Sequence, residues 1–394
     1  MKNATVLQKN KGLPEGWRWV EISKVAKIFS GSPAPQEKKY YEGGKFPFVK
    51  VSDLGVSKKN LDLKSVKYYV NEECVKKENL VLAKKGTLLF PKSGAAIMTN
   101  NRALLSVDSY IVSHLAAIEP LTKELDPKYL YYFFYNLDMI KYSENPGYPS
   151  LKLSKIKNIK ILVPPLQEQR KIVESLDEQM AQIEIMKNEA ENQKESISFL
   201  FMSFIYKIFQ DNSKSWNEVN IQDILKMIYG KGLSERIRIK GKIPVYGSNG
   251  IIGYHNQALI DFDTIIIGRK GSAGELNLVK GSSWPIDTTY YVMTEHNLEF
   301  IFFLLTYINL TKIIQKGAKP GLNRNDVYRI KVNFPENIKE QEKIVQTIKL
   351  KKIEIDILLD SINLEINSIS QLPSSILNDI FGQYKSLERY KYDI

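Results

Sequence analysis

Two long stretches of the chain carry apolar residues at the spacing of a helix that packs along one stripe. Residues 166–209 contain neither proline nor glycine and are rich in Glu, Gln, Lys and Ile. Apolar positions recur there alternately four and three residues apart, which is the heptad pattern of a coiled-coil helix. The apolar members of this first seam are Ile172, Leu176, Ile183, Met186, Ala190, Ile197, Leu200 and Phe204. Gln179 and Gln193 interrupt it.

The same seam recurs 172 residues later, with polar interruptions at the matching places, Lys351 and Glu365. Its apolar members are Ile344, Ile348, Ile355, Leu358, Ile362, Ile369, Leu372 and Ile376. Polar residues in a seam specify register and partner at a cost in stability. The two helices, each about 60 Å long at 1.5 Å per residue, are therefore expected to pair as an antiparallel coiled coil. Pro373 predicts a kink or a short terminal helix capped by Ser374 or Ser375.

The segments between these helices have a different pattern, with short runs rich in Val, Ile and Tyr bounded by Gly, Pro and Ser. Such runs predict a mainly β region with some helix. Strands are expected at residues 45–51 and 87–90, and again at 242–246 and 264–267. Two longer apolar runs, 129–140 and 300–310, are too short to span a bilayer. They occupy equivalent places in the two halves, which favours a buried helix or strand.

Short motifs also repeat, so the chain consists of two similar halves. Trp17 recurs as Trp216, and Glu168-Gln169 recurs as Glu340-Gln341. A further set recurs 171 residues on: Pro149, Leu151, Ile156, Ile159 and Pro164 match Pro320, Leu322, Val327, Ile330 and Pro335. The predicted fold class is α+β, with two globular mixed α/β domains separated by the helix pair in a pseudo-two-fold repeat. The predicted boundaries are 1–164 and 213–335 for the domains, 165–212 for the first helix, and 336–394 for the second helix and tail.

Composition adds a preference for a polyanionic target. The 394 residues carry a formal net charge of +12 and 43% hydrophobic residues, enough for more than one core. Excess Lys and Arg favours phosphate through counterion release, although abundant surface lysine explains the charge about equally well. Cys74 is the only cysteine, which excludes a disulfide framework and a thiolate metal cage. Residues 1–10 lack an apolar signal-peptide core, so a soluble cytoplasmic protein without a membrane partner is expected.

The motifs of catalysis are incomplete in this chain. Residues 145–148, Asn-Pro-Gly-Tyr, only partly match the base-holding loop of an adenine methyltransferase, and residues 268–274 lack the Gly-Lys-Ser/Thr ending of a nucleotide loop. His114, His255 and His296 lack metal-ligand spacing. Residues 62–64 match one corner of a nuclease signature, as charged tripeptides do by chance. No catalytic residue, metal or cofactor is predicted.

Taken together, the repeats resemble the specificity subunit of type I restriction–modification systems. The resemblance rests on Leu13-Pro14-Glu15-Gly16-Trp17, on Pro164-Pro165-Leu166-Gln167-Glu168-Gln169, and on a second copy at residues 335–341 that lacks the double proline. It implies two target-recognition domains that each read half of a bipartite, asymmetric double-stranded DNA site, with helices that set the gap. It also implies two modification subunits that carry adenine methyltransferase chemistry with S-adenosylmethionine, and ATP-driven restriction subunits in the larger complex.

Residues that reach DNA are expected in the loops that follow strands, because Gly and Ser let the backbone approach closely there. Arg, Lys, Asn and Gln read base edges, and Lys, Arg and Ser contact phosphates. The first-domain candidates are Lys50, Ser52, Lys92, Ser93, Arg102, Tyr148 and Lys152. The second-domain candidates are Tyr246, Ser248, Asn249, Arg269, Lys270, Ser272, Lys319, Asn323 and Arg324. These loops are also explained as fold-defining turns with solvated charges.

Two other functions remain open from the sequence. A coiled-coil scaffold with two protein-binding domains has the same element pattern and differs by lacking salt-dependent DNA binding. A self-sufficient enzyme would transfer methyl groups without a partner, and the incomplete motifs speak against it.

Overall fold

The computed structural model describes residues 13–55, 60–61 (backbone only), 66–121, 123–143, 149–211, 215–314 and 321–382. It divides into two compact units. The first unit joins residues 1–188 to residues 367–394, and the second consists of residues 189–366. Each unit therefore contains one mixed domain together with part of both long helices, so the predicted α+β class is confirmed.

In the first unit, a short antiparallel ribbon brings together the beginning and the end of the domain. β1 (Arg18–Glu21) pairs with β11 (Lys160–Val163). Between them lie β2 (Ala26–Ser30), β3 (Phe46–Val49), β4 (Asn60–Leu61), β5 (Tyr69–Val70), β6 (Leu82–Ala83), β7 (Leu88–Pro91), β8 (Ala103–Leu105), β9 (Ser109–Ile111) and β10 (Leu115–Pro120). The helices are α1 (Val51–Leu54), α2 (Glu72–Lys77), α3 (Pro127–Tyr135) and α4 (Leu153–Lys157). The described strands form sheets of order β2-β10-β7-β8-β4 and β5-β3-β9-β6.

The second unit repeats this plan with a shorter insertion. Its closing ribbon pairs β12 (Asn217–Asn220) with β20 (Lys331–Phe334). Between them lie β13 (Lys226–Tyr229), β14 (Ile243–Gly247), β15 (Gly250–His255), β16 (Thr264–Gly268), β17 (Leu276–Val279), β18 (Trp284–Pro285) and β19 (Thr289–Met293). The helices are α6 (Ile221–Ile224), α7 (Leu298–Ile308) and α8 (Arg324–Tyr328). The sheet β13-β19-β16-β17 matches β2-β10-β7-β8 strand for strand.

The two apolar runs are buried helices at equivalent places, α3 and α7. Asp126 caps α3 by accepting a hydrogen bond from the Lys128 amide at 2.9 Å, and Asn297 caps α7 by accepting one from the Phe300 amide at 3.0 Å. Both helices contribute aromatic side chains to the core of their unit, including the fully buried Phe134 and Phe300. The interpretation as buried elements is thus confirmed, and both elements are helices. Within the described chain, no helix is long and apolar enough to cross a membrane.

The long helices are α5 (Leu166–Phe209) and α9 (Ile338–Gly382). In the first unit, Val173 and Leu176 of α5 belong to the same buried cluster as Leu377 of α9. In the second unit, the other end of α5 shares a cluster with the beginning of α9, through Ile205 and Ile348. Early residues of one helix are therefore grouped with late residues of the other, which is the antiparallel arrangement that the heptads predict.

The seam is only partly as predicted. Among the predicted members, Leu176, Ile183, Ile348 and Ile355 are buried, Ile172 and Ile344 are half-buried, and so are Gln179 and Lys351. Gln193 and Glu365 are exposed, so the prediction that they lie in the seam is wrong. The row of seam positions to which Leu176 and Ile183 belong stays buried at Ala190, and the matching row of the second helix stays buried at Ile362. Only the other row of the seam, which contains Gln193 and Glu365, turns away from the buried stripe.

Pro373 does not end the second helix, so the predicted alternative of a separate short terminal helix is wrong. α9 continues through it to Gly382, so neither Ser374 nor Ser375 caps a new helix. The residues after the proline explain this continuity, because Leu377 and Phe381 are buried in the core of the first unit. The Phe381 ring lies 5.5 Å from the ring of Tyr129. This burial outweighs the roughly 3 kcal/mol that an internal proline costs a helix.

A buried glutamine fastens each long helix to its domain. The Gln169 side chain accepts a hydrogen bond from the Asp126 amide at 2.8 Å and donates to the carbonyls of Glu124 and Pro164 at 2.9 and 2.8 Å. Its counterpart, Gln341, accepts from the Asn297 amide at 2.9 Å and donates to the Pro335 carbonyl at 2.8 Å. Both side chains are fully buried.

The residue before each glutamine ties the beginning of the domain to the same junction. The Trp17 indole donates to Glu168 at 2.5 Å, and the Trp216 indole donates to Glu340 at 2.7 Å. The repeated Glu-Gln pairs and the repeated tryptophans thus form one interaction. The beginning and the end of each domain therefore meet at one junction, where its long helix begins.

We expect Gln169→Ala to lower the free energy of unfolding by about 2–4 kcal/mol, because the substitution leaves buried backbone groups without partners. Urea-induced unfolding followed by tryptophan fluorescence measures this loss. Gln167→Ala is the matched control, since Gln167 is exposed on the same turn of α5. An equal loss in both variants would contradict the role of the buried glutamine.

Candidate nucleic-acid interface

In both domains the loop after a central strand meets the segment that precedes a short helix. In the first domain, Lys92 follows β7 and Leu151 precedes α4, and the Leu151 amide donates to the Lys92 carbonyl at 2.8 Å. In the second domain, Arg269 follows β16 and Leu322 precedes α8, and the Leu322 amide donates to the Arg269 carbonyl at 2.9 Å. An isolated β-bridge lies next to each of these hydrogen bonds: Ser93 pairs with Ser150, and Lys270 pairs with Gly321. The predicted loops are therefore brought together in pairs by the same backbone contact.

Two arginines of the second domain lie over one exposed aromatic ring. The guanidinium groups of Arg269 and Arg324 lie 5.3 and 5.1 Å from the centre of the Tyr229 ring. Tyr229 is 51% exposed. Arg269 donates through Nε and Nη2 to the Asp287 carbonyl at 3.1 and 2.6 Å, and Arg324 donates to the Met227 carbonyl at 3.0 Å. Both acceptors are neutral carbonyls, so these hydrogen bonds do not offset the positive charge of the two guanidinium groups.

Tyr229 was not among the sequence candidates, although it ends β13 just before a close turn. A Cβ at the next residue, Gly230, would lie 2.2 Å from the Ile286 carbonyl oxygen, so only glycine fits there. Tyr229 also contacts Tyr290, with ring centres 4.9 Å apart. Burial, followed by the hydrogen bond with Tyr229, raises the pKa of Tyr290 to about 12. Tyr290 therefore stays protonated, and its buried ring packs against the exposed ring of Tyr229.

The turn of the β14–β15 hairpin is joined to the same loop. The Ser248 hydroxyl lies 2.6 Å from the Lys270 carbonyl and 2.8 Å from the Thr288 carbonyl. The neighbouring Asn249 is exposed, whereas Tyr246 and Ser272 are half-buried. Asn323 caps α8 by accepting a hydrogen bond from the Asn325 amide at 2.9 Å. Among the described second-domain candidates, the hairpin turn with Ser248 and the segment before α8 with Asn323 thus both adjoin the loop after β16.

The first-domain candidates are less concentrated. Lys92 and Ser93 share a loop, where the Ser93 hydroxyl lies 2.8 Å from His114 Nδ1. Lys152, at the beginning of α4, is exposed beside them. Lys50, which precedes α1, places its ammonium group 3.7 Å from the centre of the Tyr68 ring.

The remaining first-domain candidates differ in accessibility. Ser52 in α1 is exposed. Arg102 is 2% exposed and donates to the carbonyls of Leu137 and Asn100 at 2.6 and 3.2 Å. This burial lowers the pKa of Arg102 to about 10. We therefore correct its assignment: Arg102 joins loops inside the fold and does not face a ligand. Tyr148 and Lys319 lie outside the described residues.

The two domains present different side chains at matching backbone positions. Lys92 in the first matches Arg269 in the second, because each carbonyl accepts the equivalent hydrogen bond from a leucine amide. By the same register Leu153 matches Arg324. The cluster of two arginines and Tyr229 therefore belongs to the second domain alone among the described residues. In the described parts of the chain, no group of three His, Cys, Asp or Glu residues could hold a metal ion.

Comparison with known proteins gives a consistent family. The family model described as "Type I restriction modification DNA specificity domain" matches residues 14–195 and 213–367. The EcoprrI specificity subunit of a type I restriction enzyme from Escherichia coli is 25% identical over 90% of this chain and 89% of its own length. The MjaIX specificity subunit of Methanocaldococcus jannaschii is 30% identical over 43% of this chain, and the match spans 40% of that relative.

A solved structure has the same fold at low sequence identity. It comes from work on complex assembly and conformational transition of a type I restriction–modification system. The TM-score is 0.72 with 15% identity, and the match covers 94% of this chain and 99% of the other.

We expect Lys270→Ala to reduce the salt dependence of DNA binding. Each lost phosphate contact lowers the slope of log K against log salt by about 1. Lys280→Ala is the control, because Lys280 is also exposed but follows β17 at the opposite end of the sheet. An unchanged slope for Lys270→Ala, or an equal change for Lys280→Ala, would contradict a phosphate contact at this loop. Titrations over a range of salt concentrations, with the chain in its natural complex, measure the slopes.

Proposed function

The chain belongs to the family of type I restriction–modification DNA specificity domains, and we propose that it selects the DNA sequence on which a type I restriction–modification complex acts. Each of its two domains reads one half of a bipartite, asymmetric site in double-stranded DNA. The observation that carries this proposal is the repeated loop-to-helix contact, which presents different side chains in the two domains. A repeated frame with unlike surfaces suits a target whose halves are unlike in sequence.

The long helices set the distance between the half-sites and bind two modification subunits. An exposed apolar stripe on α9 supports this role, with Leu350, Ile353, Ile357 and Leu364 between 56% and 68% exposed. Their spacing of three, four and seven residues puts them on one helix face. Such a face is stabilised by packing against another helix. We expect the modification subunits to supply that second helix.

The chain itself performs no catalysis in this scheme. The modification subunits hold S-adenosylmethionine and methylate adenine, and restriction subunits with ATP join the larger complex in the cytoplasm. The specificity subunit contributes base contacts, phosphate contacts and the geometry of the gap. This division agrees with the incomplete catalytic motifs of the sequence.

Charge reversal tests whether each domain reads its own half-site. In complexes with the modification subunits, Arg269→Glu with Lys270→Glu should lower methylation of the second half-site at least ten-fold, because it replaces attraction to phosphate with repulsion. The reciprocal pair, Lys92→Glu with Lys152→Glu, should lower it at the first half-site. Methylation mapped separately at the two half-sites of one duplex measures both effects. If each pair weakens both half-sites equally, the assignment of one domain to each half fails.

Changing the length of the helices tests their role as a spacer. We expect seven residues inserted after Ala190 and after Ile362, which are equivalent buried positions, to lengthen each helix by about 10.5 Å. That length corresponds to about three base pairs at about 3.4 Å each. Methylation of a library of gap lengths should show a new preferred gap with unchanged half-site sequences. Altered half-site sequences would contradict the spacer role.

A further inference from the structure

The second domain has a hairpin that the first domain lacks at this place. β14 and β15 pair antiparallel, and β15 forms an edge of the three-stranded sheet β15-β14-β18. In the first domain the equivalent strand, β3, is followed directly by α1, and its antiparallel partner β5 begins only at Tyr69, so the pair is not joined by a short turn. The hairpin is therefore a feature by which the two domains differ in what they can recognise.

A β-bulge turns two successive isoleucines of this hairpin outward. Tyr246 pairs with Ile251 and Val245 pairs with Gly253, so Ile252 is left without a partner. Such a bulge interrupts the alternation of side chains across a strand. Ile251 and Ile252 are consequently both exposed, by 51% and 45%. Gly253 has a φ of +148°, a conformation that other residues rarely adopt.

A second apolar segment lies alongside the bulged strand. Residues 236–240 alternate cations with isoleucines, Arg-Ile-Arg-Ile-Lys, and both isoleucines are about 60% exposed. The Arg238 guanidinium donates to the Ile252 carbonyl at 2.8 Å, and the Ile239 amide donates to His255 Nδ1 at 3.0 Å. These bonds fix the segment against β15. The result is an apolar surface interleaved with positive charge.

The charge and position of this surface favour DNA as its occupant. Residues 236–242 contain four cations and no acidic residue. The Ser248 contact joins the hairpin turn to the loop that carries Arg269 and Lys270, so the surface continues the proposed interface. An apolar edge strand left in water promotes aggregation, which a bound duplex prevents. The major groove admits a two-stranded ribbon, and the thymine C5 methyl is the apolar group among its base edges.

We propose that the β14–β15 hairpin enters the major groove at the second half-site and that Ile251 and Ile252 recognise thymine there by contact with its methyl group. This inference rests on the proposed DNA-reading function. It adds an apolar element to the recognition that the arginines and lysines provide through charge and hydrogen bonds.

Replacing thymine by deoxyuridine tests the methyl contact, because only the methyl group is removed. In the complex with modification subunits, thymines of the mapped second half-site are replaced one at a time. For the unmodified chain, at least one replacement should lower the association constant about three- to ten-fold. In the double variant Ile251→Ser with Ile252→Ser, binding to the thymine site should already be weaker, and the same replacement should have no further effect.

The control is Met293→Ser, which removes an apolar side chain that is 45% exposed, as Ile252 is. Met293 lies at the opposite end of the sheet from the loop after β16. It should keep the full effect of deoxyuridine. If the double isoleucine variant keeps that effect, or if no replacement matters for the unmodified chain, the proposal is overturned. The double isoleucine variant would also keep the effect of deoxyuridine if the hairpin instead binds a protein or inserts between base pairs. Absence of any bipartite methylation by the unmodified complex would instead overturn the proposed function itself.

Discussion

The buried glutamine at each domain–helix junction is the interaction on which the other features depend. Gln169 and Gln341 each satisfy backbone groups from two segments of a domain at the first turn of a long helix. The adjacent glutamates hold the tryptophans near the beginning of each domain. Because such a network is costly to leave half-satisfied, each domain keeps one orientation to its helix. The distance between two half-sites can be defined only if that orientation is fixed.

The closed junction also separates what must stay the same from what can differ. The ribbons β1–β11 and β12–β20 bring the ends of each domain together beside the helix, and the two main sheets share their strand order. The loops beyond the strands carry few of these constraints. In these loops the second domain has a bulged hairpin and two arginines over the Tyr229 ring. The first domain has α1 and Lys92 at the corresponding places. Different sequences can therefore be read without changing the frame.

Elements that depend on a repeated local pattern were predictable from the sequence. The heptads predicted both long helices, and the apolar runs predicted buried elements at the places of α3 and α7 without deciding between helix and strand. Features that depend on tertiary contact were not predictable. Arg102 is a residue type typical of surface contacts, yet it is buried, and the Leu137 carbonyl that it binds lies 35 residues away in the sequence. Tyr229 has no sequence signal of its own, because the two arginines over its ring, Arg269 and Arg324, lie far from it in the sequence. At Pro373, distant aromatic packing outweighed a reliable local rule.

If one framework holds two recognition domains that act independently, a chain with two identical domains should recognise a symmetric site. In this chain, a second copy of residues 17–163 replaces residues 216–334, between equivalent tryptophans and equivalent junctions. Methylation by its complex is then mapped on a library of bipartite sites. We expect this complex to methylate an inverted repeat of the first half-site, with the original gap. Continued recognition of the original asymmetric site, or a different gap in a folded complex, would contradict it.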